Sequence, residues 1–446
     1  MLITSPELVN LQHPSNLKAW TSIESSHSIM AVAPIYELKC SCNQYPWGRQ
    51  GSNSLSARLC AKQPGWDGKG PKDQDFKIKE DTPYAEMWMG TYPVLPVYTA
   101  TTGEDLQDVV DRNPKELLGE SLIQKFGHSK IPFLPKVLSI AKALPLQVHP
   151  NKGLASQLHE KKPDQFTDPN HKPEIALALG DFEAFCGFKP LKHVANLMKL
   201  DALKKFLPQA QRPDFDDQQL KAVVRNMLEA DDQTVKETYK ALTSVSPADC
   251  DGDDYIPKLA PRLAEQYSEA DPGILVALIT MNYMQLKAGQ GLYIPADGIH
   301  AYLSGDIIEC MARSNNVLNT GFCPRAQRDN VELFTSCLTF TPHAPEECML
   351  PKKDYKNSKN GKSVVYSPPL SEFDVLETNL KSSEKEVLAP IKGPGILLAT
   401  KGDAKMRAND KQVQLGEGQC YFVAQGTELE FEAGGEGLQM HMSFCE

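Results

Sequence analysis

No apolar run in the 446 residues approaches the roughly 20 needed to cross a bilayer, so the sequence predicts no membrane span. Excess positive charge is also missing: 47 Lys and Arg against 57 Asp and Glu leave a net charge of −10. That removes the long-range attraction on which nucleic-acid binding draws, and no local basic patch replaces it. The first thirty residues lack the charged start and continuous apolar core of a secretory signal. Eleven cysteines, an odd number, fall without framework spacing, a pattern of free thiols in a reducing compartment. These absences predict a cytosolic protein with no nucleic-acid or membrane partner. What is present is 41% hydrophobic residues, enough for a proper core spread over two or three domains.

The chain changes character along its length. Residues 1–33 mix Ser, His and Asn and read as a loosely ordered leader, with Met30 as a second candidate start. From Tyr36 to about Pro190, short apolar stretches are broken by Gly, Pro and Asn, a rhythm that predicts antiparallel strands. In "LKAVVRNML" the apolar positions Leu220, Val223, Val224, Met227 and Leu228 recur at three and four, which predicts helix. Strand rhythm is read again from Pro272 onward. The expectation is a mainly β protein with a helical insertion: β-barrel residues 34–190 and 272–345, helices over 191–271, and a second β domain over 346–446. Lys352–Lys362 reads as a polar connector.

"LPLQVHPNKG" places Gln147 and His149 two apart in an apolar run. In a strand they share one face, and Leu146 and Val148 take the other. Glu174 opens an apolar strand in "NHKPEIALAL", and His300 enters another in "GIHAYLSGD". Two imidazoles and a carboxylate, with an amide oxygen and a water, suit Zn²⁺ with an open position, and a His₂Glu set also suits Fe(II). Each signal is weak alone. They converge only if the fold brings distant strands together, as the inside of a small barrel does.

The segments "PYAEMWMGT", "LPKVLSIAKALPLQVHPNKG", "NHKPEIALAL" and "GIHAYLSGDIIECMA" together closely resemble the type I phosphomannose isomerases. The resemblance runs in the family's order from about residue 34 to the C-terminus. It implies cupin-type jelly rolls around the helical insertion, and one Zn²⁺ per chain held by Gln147, His149, Glu174 and His300. It also implies proton transfer between C1 and C2 of mannose 6-phosphate and fructose 6-phosphate, feeding GDP-mannose synthesis, by a protein expected to be a monomer. Lys136 and Lys172 match family lysines near the substrate. Glu309, expected across a hairpin turn at "SGD" from His300, joins Asp306, Tyr302, His171 and Lys172 as acid–base candidates.

The sequence departs from the family in one loop. "ECMARSNNVLNTGFCPR" carries Asn315, Asn319, Cys323 and Arg325 where the family usually has Asp, Arg, Thr and Lys, and Pro145 replaces a usual Ser. Arg313 is an added arginine. If its strand is regular, it shares a face with Glu309 and is a candidate substitute for the lost cation, as is Arg325; if the strand ends before it, Arg313 is a solvent-exposed loop residue. The alternatives are a weakened paralogue that binds sugar phosphates without isomerising them, and an Fe(II) cupin oxygenase.

Overall fold

The computed structural model describes residues 32–63, 76–209 and 214–446; the leader expected over 1–33 lies almost wholly outside the described residues. The long strand His300–Ala312 is the axis of the first β unit. Its first residues pair with Leu146–Val148 and Phe182–Phe188, and the rest with Phe133–Ile140 and Glu174–Ala178, all antiparallel. One strand therefore borders both halves of a barrel. Inside lie Leu138, Ile140, Ala176, Ala184, Ile294 and Tyr302, all buried.

The hairpin expected at "SGD" does not form. His300 and Glu309 lie on the same continuous strand, with a register shift beside Gly305, whose φ is +124°. A bulge adds one residue to one strand and reverses the alternation of faces beyond it, so Tyr302 and Glu309 both turn inward despite their odd separation.

Helices Leu191–Leu197, Asp217–Glu229, Asp232–Thr243 and Ile256–Gln266 form a layer beside the barrel. The Asp217–Glu229 helix starts at a capping box of Asp216 and Gln219 and buries Leu220, Val223, Val224, Met227 and Leu228. That stripe belongs to the same apolar cluster as Leu146, Val148 and Ile299. The outward side of the Leu146–Val148 strand is thus covered by helices, while Gln147 faces in.

Four expectations are corrected. Pro272–Thr280 is a helix, not a strand, and every residue of it is buried. An all-apolar run has no readable period, although Asp271 as N-cap and Pro272 in the first turn were start signals. Within the stretch read as strands, Leu55–Ala61, Leu106–Arg112 and Lys152–Lys161 are helical. The polar segment from Lys352 contains the strand Lys352–Asp354, paired with Ser363–Tyr366. Finally, Ile35–Lys39 pairs with Cys420–Val423 in the second β unit rather than in the barrel. That unit is an antiparallel sheet whose longest strands are Gly395–Ala408 and Leu429–Phe444.

Candidate metal centre

Gln147 sits in a three-residue strand directly opposite His300 on one side and Asn319 on the other; directly opposed residues share a face. One residue beyond that strand, the His149 ring is fixed by a 2.8 Å contact from Nδ1 to the Asn316 carbonyl. The His300 ring is fixed in the same way, 3.0 Å from Nδ1 to the Gly298 carbonyl. A carbonyl only accepts, so Nδ1 of each ring carries a hydrogen, and a ring without a second one presents a lone pair at Nε2. Burial, reinforced by the charge on Lys172, pushes the His149 pKa down to about 4, so this ring is neutral near pH 7.

Both Nε2 atoms face the same carboxylate. His149 Nε2 lies 3.2 Å from Glu174 Oε1, and His300 Nε2 lies 3.5 Å from Oε2. Neither Nε2 has a hydrogen-bond partner among the described residues, and all three side chains are buried. Buried acceptors turned on a buried anion are unfavourable unless a cation lies between them. The donor atoms fall within 4.8 Å of one another, and two nitrogens with a carboxylate oxygen are a donor set that fits Zn²⁺. Gln147 lies directly across the strand pair from His300, on the same face.

Around this triad is a dense charge network. Lys172 Nζ lies 2.8 Å from Glu174 Oε1 and the Tyr302 hydroxyl donates to Oε2 at 3.2 Å. Burial alone raises the Glu174 pKa, but the Lys172 ammonium holds it well below the usual carboxylate range. Lys136 Nζ lies 2.8 Å from Glu309 Oε2, an ion contact whose angles leave that oxygen without a hydrogen-bond donor. Burial raises the Glu309 pKa; Lys136 opposes this, and the Glu174 and Glu86 charges reinforce it. Lys136 also lies 4.9 Å from the Trp88 ring centroid, and the Trp88 indole donates to Glu86 at 2.5 Å. Glu86 and Trp88 were missed as site residues, although their two-residue spacing in "AEMWMG" puts them on one strand face.

Other candidates lie elsewhere. Asp306 faces out of the barrel, 2.9 Å from Arg49 Nη1 and opposite Ser139, because it has the opposite parity to Glu309. His171 lies at the rim with Nε2 2.6 Å from Glu372 Oε1, a carboxylate from the second β unit that the sequence did not flag. The site strand ends at Ala312, and Arg313 turns to the Thr91 hydroxyl and carbonyl at 2.9 Å each. Four residues along a strand are roughly 13 Å, so Arg313 does not reach Glu309. Asn315 is exposed and donates its N–H to Asp168. Arg325 pairs with Asp232 on the helical layer, with most of its side chain in solvent.

A family description of the phosphomannose isomerase type I catalytic domain matches residues 35–191, and one of its C-terminal domain matches 363–411. The mannose-6-phosphate isomerase of Saccharomyces cerevisiae is 36% identical over 436 residues, covering 92% of this chain and 99% of that protein. The chain belongs to the type I phosphomannose isomerase family. The mannose-6-phosphate isomerase of Schizosaccharomyces pombe is 32% identical, covering 92% of this chain and all of that one, 100%. Among solved structures, mannose 6-phosphate isomerase from Salmonella typhimurium bound to fructose 6-phosphate and zinc matches with a TM-score of 0.73 at 24% identity, over 93% of this chain and 100% of that one. The barrel, the helices inserted between its strands and the second β unit therefore follow the cupin architecture of phosphomannose isomerases.

Proposed function

We propose that this chain is a zinc-dependent aldose–ketose isomerase interconverting mannose 6-phosphate and fructose 6-phosphate, with one Zn²⁺ per chain held by Gln147, His149, Glu174 and His300. The observation that carries this reading is the pair of buried imidazole Nε2 atoms turned on one carboxylate, in a chain of this family. A bound zinc supplies Lewis-acid polarisation of the substrate oxygens. The chain's own residues do the rest. Lys172 and Tyr302 hold the Glu174 carboxylate in place and anionic. Glu309 is the proton carrier between C1 and C2: its buried carboxyl is raised toward the working pH, which suits a general base. Lys136 stays cationic beside it and stabilises the developing enediolate charge. His171, oriented by Glu372, stands at the rim as a second proton-transfer candidate.

Metal analysis of the folded His149→Ala/His300→Ala variant tests the site. Loss of zinc is expected, and stoichiometric zinc retained without both imidazoles contradicts the assignment.

A second reading is favoured by a specific observation. Asn319 offers no charge opposite Gln147, and Arg325 is engaged with Asp232, so the usual cations of this loop are withdrawn. A paralogue that binds sugar phosphates without isomerising them would be inactive with zinc bound and would gain activity from Asn319→Arg. An Fe(II) oxygenase is disfavoured by Gln147 as a fourth ligand. No helix among the described residues is long and apolar enough to cross a membrane. All eleven cysteines are free, which supports placement in the cytosol.

A further inference from the structure

We infer that a phosphomonoester dianion binds in a cavity of about 470 Å³ beyond the end of the His300–Ala312 strand, between Arg313, Lys130 and Lys152. Its wall is built from Tyr92, Lys130, Lys152, Asp168, Arg313 and Glu372, among others. The two carboxylates are already engaged. Asp168 accepts the N–H groups of Asn170 and Asn315 at 3.0 and 2.9 Å, and Glu372 takes His171 at 2.6 Å and the Ser371 N–H at 3.0 Å.

The cations are not compensated in the same way. Arg313 spends both terminal nitrogens on Thr91, a neutral residue, and lies 5.2 Å from the Tyr92 ring centroid. Asp168 and Asp105 act on Arg313, and Glu372 on Lys152, through charge alone rather than through a direct ion pair. The half-buried guanidinium, not paired directly with either aspartate, is left open to a stronger anionic partner. A phosphomonoester carries about −1.5 to −2 charge at pH 7 and three acceptor oxygens, enough to meet the cations that line this one cavity. The cavity is too small and too local for a nucleic-acid backbone.

The position gives the site its role. Lys152 and Glu372 also line the adjoining cavity, which contains His171 and Pro173, immediately before Glu174. The ligand is the substrate's own phosphate or a separate inorganic phosphate; the first source rests on the isomerase reading and the second does not.

Calorimetric titration of inorganic phosphate into the zinc-loaded protein tests the site. Arg313→Ala and the double variant Lys130→Ala/Lys152→Ala are each expected to weaken binding by at least about tenfold, with circular dichroism and zinc content unchanged. Both lysines are exposed, so the double variant decides alone if Arg313→Ala does not fold. A KM for mannose 6-phosphate raised about tenfold in the double variant, with kcat within about threefold, assigns the site to the substrate. An unchanged KM with lost phosphate affinity assigns it to separate phosphate. A wild type without isomerase activity whose phosphate affinity still falls in the variants would refute the isomerase reading and leave this site standing. Phosphate affinity equal in wild type and both variants, or absent from wild type, overturns the inference.

Discussion

At Glu309 burial competes with charge. Burial and two neighbouring carboxylates push its pKa up from 4.5, and Lys136 at 2.8 Å pulls it down. A general base acts deprotonated, so kcat/KM should rise with pH through the raised Glu309 pKa, giving an acid limb above 4.5. Glu309→Gln is expected to remove that limb and lower kcat/KM by at least about 100-fold, with zinc content unchanged; a surviving limb in the variant would move the role to His171. Arg325 gives the opposite expectation. It is exposed and paired with Asp232, so Arg325→Ala should change kcat/KM by less than about twofold, and a larger loss would place Arg325 in the site. The four proposed ligands were legible as residue types and spacings. Their companions were not: Asn316 acts through its carbonyl, which any residue carries, and Glu372 is more than 200 positions from His171, with a separation of 201.

Among the elements, the bulge beside Gly305 matters most. A Cβ there would meet the Asp181 carbonyl at 2.6 Å and Phe182 Cα at 2.9 Å, at a φ of +124°. Gly305→Ala should cost about 2 kcal/mol or more, read from the urea midpoint, and lower zinc affinity, because the bulge lets Tyr302 and Glu309 share one face. Unchanged stability and zinc binding would contradict this. The loop before Ser363 depends on Glu386, which accepts from Ser358 Oγ, Ser363 Oγ and the N–H groups of Asn360, Lys362 and Val387. Burial raises its pKa, but these donors outweigh burial and hold it low. A depressed folded pKa contributes stability above the unfolded value near 4.3, and that stability is lost as pH falls through the folded pKa. Glu386→Gln should cost about 1–3 kcal/mol at pH 7 and flatten the acid arm of the stability profile; an unaltered profile would refute it. The Asp217–Glu229 helix was legible because its cap and stripe agree. Pro272–Thr280 and the uninterrupted strand through Gly305 were not: one is apolar on every side, and the other turns on a single glycine that reads locally as a hairpin.

The whole molecule is stitched at its described N-terminal end. Ile35–Lys39 belongs to the second β unit, and Ser41–Asn43, two residues later, pairs with Glu86–Trp88 in the barrel. The contact of His171 with Glu372 ties the same two units at the rim of the candidate site. Sequence order gave no sign of this exchange, since strand pairing depends on partners hundreds of residues away. Zinc-dependent isomerisation of mannose 6-phosphate by this protein is tested most directly by a coupled assay of fructose 6-phosphate formation from mannose 6-phosphate on purified protein, before chelation, after chelation and after zinc is restored. Activity that disappears with the metal and returns with zinc is the predicted result. A folded protein that carries one zinc per chain and turns over no mannose 6-phosphate would contradict it.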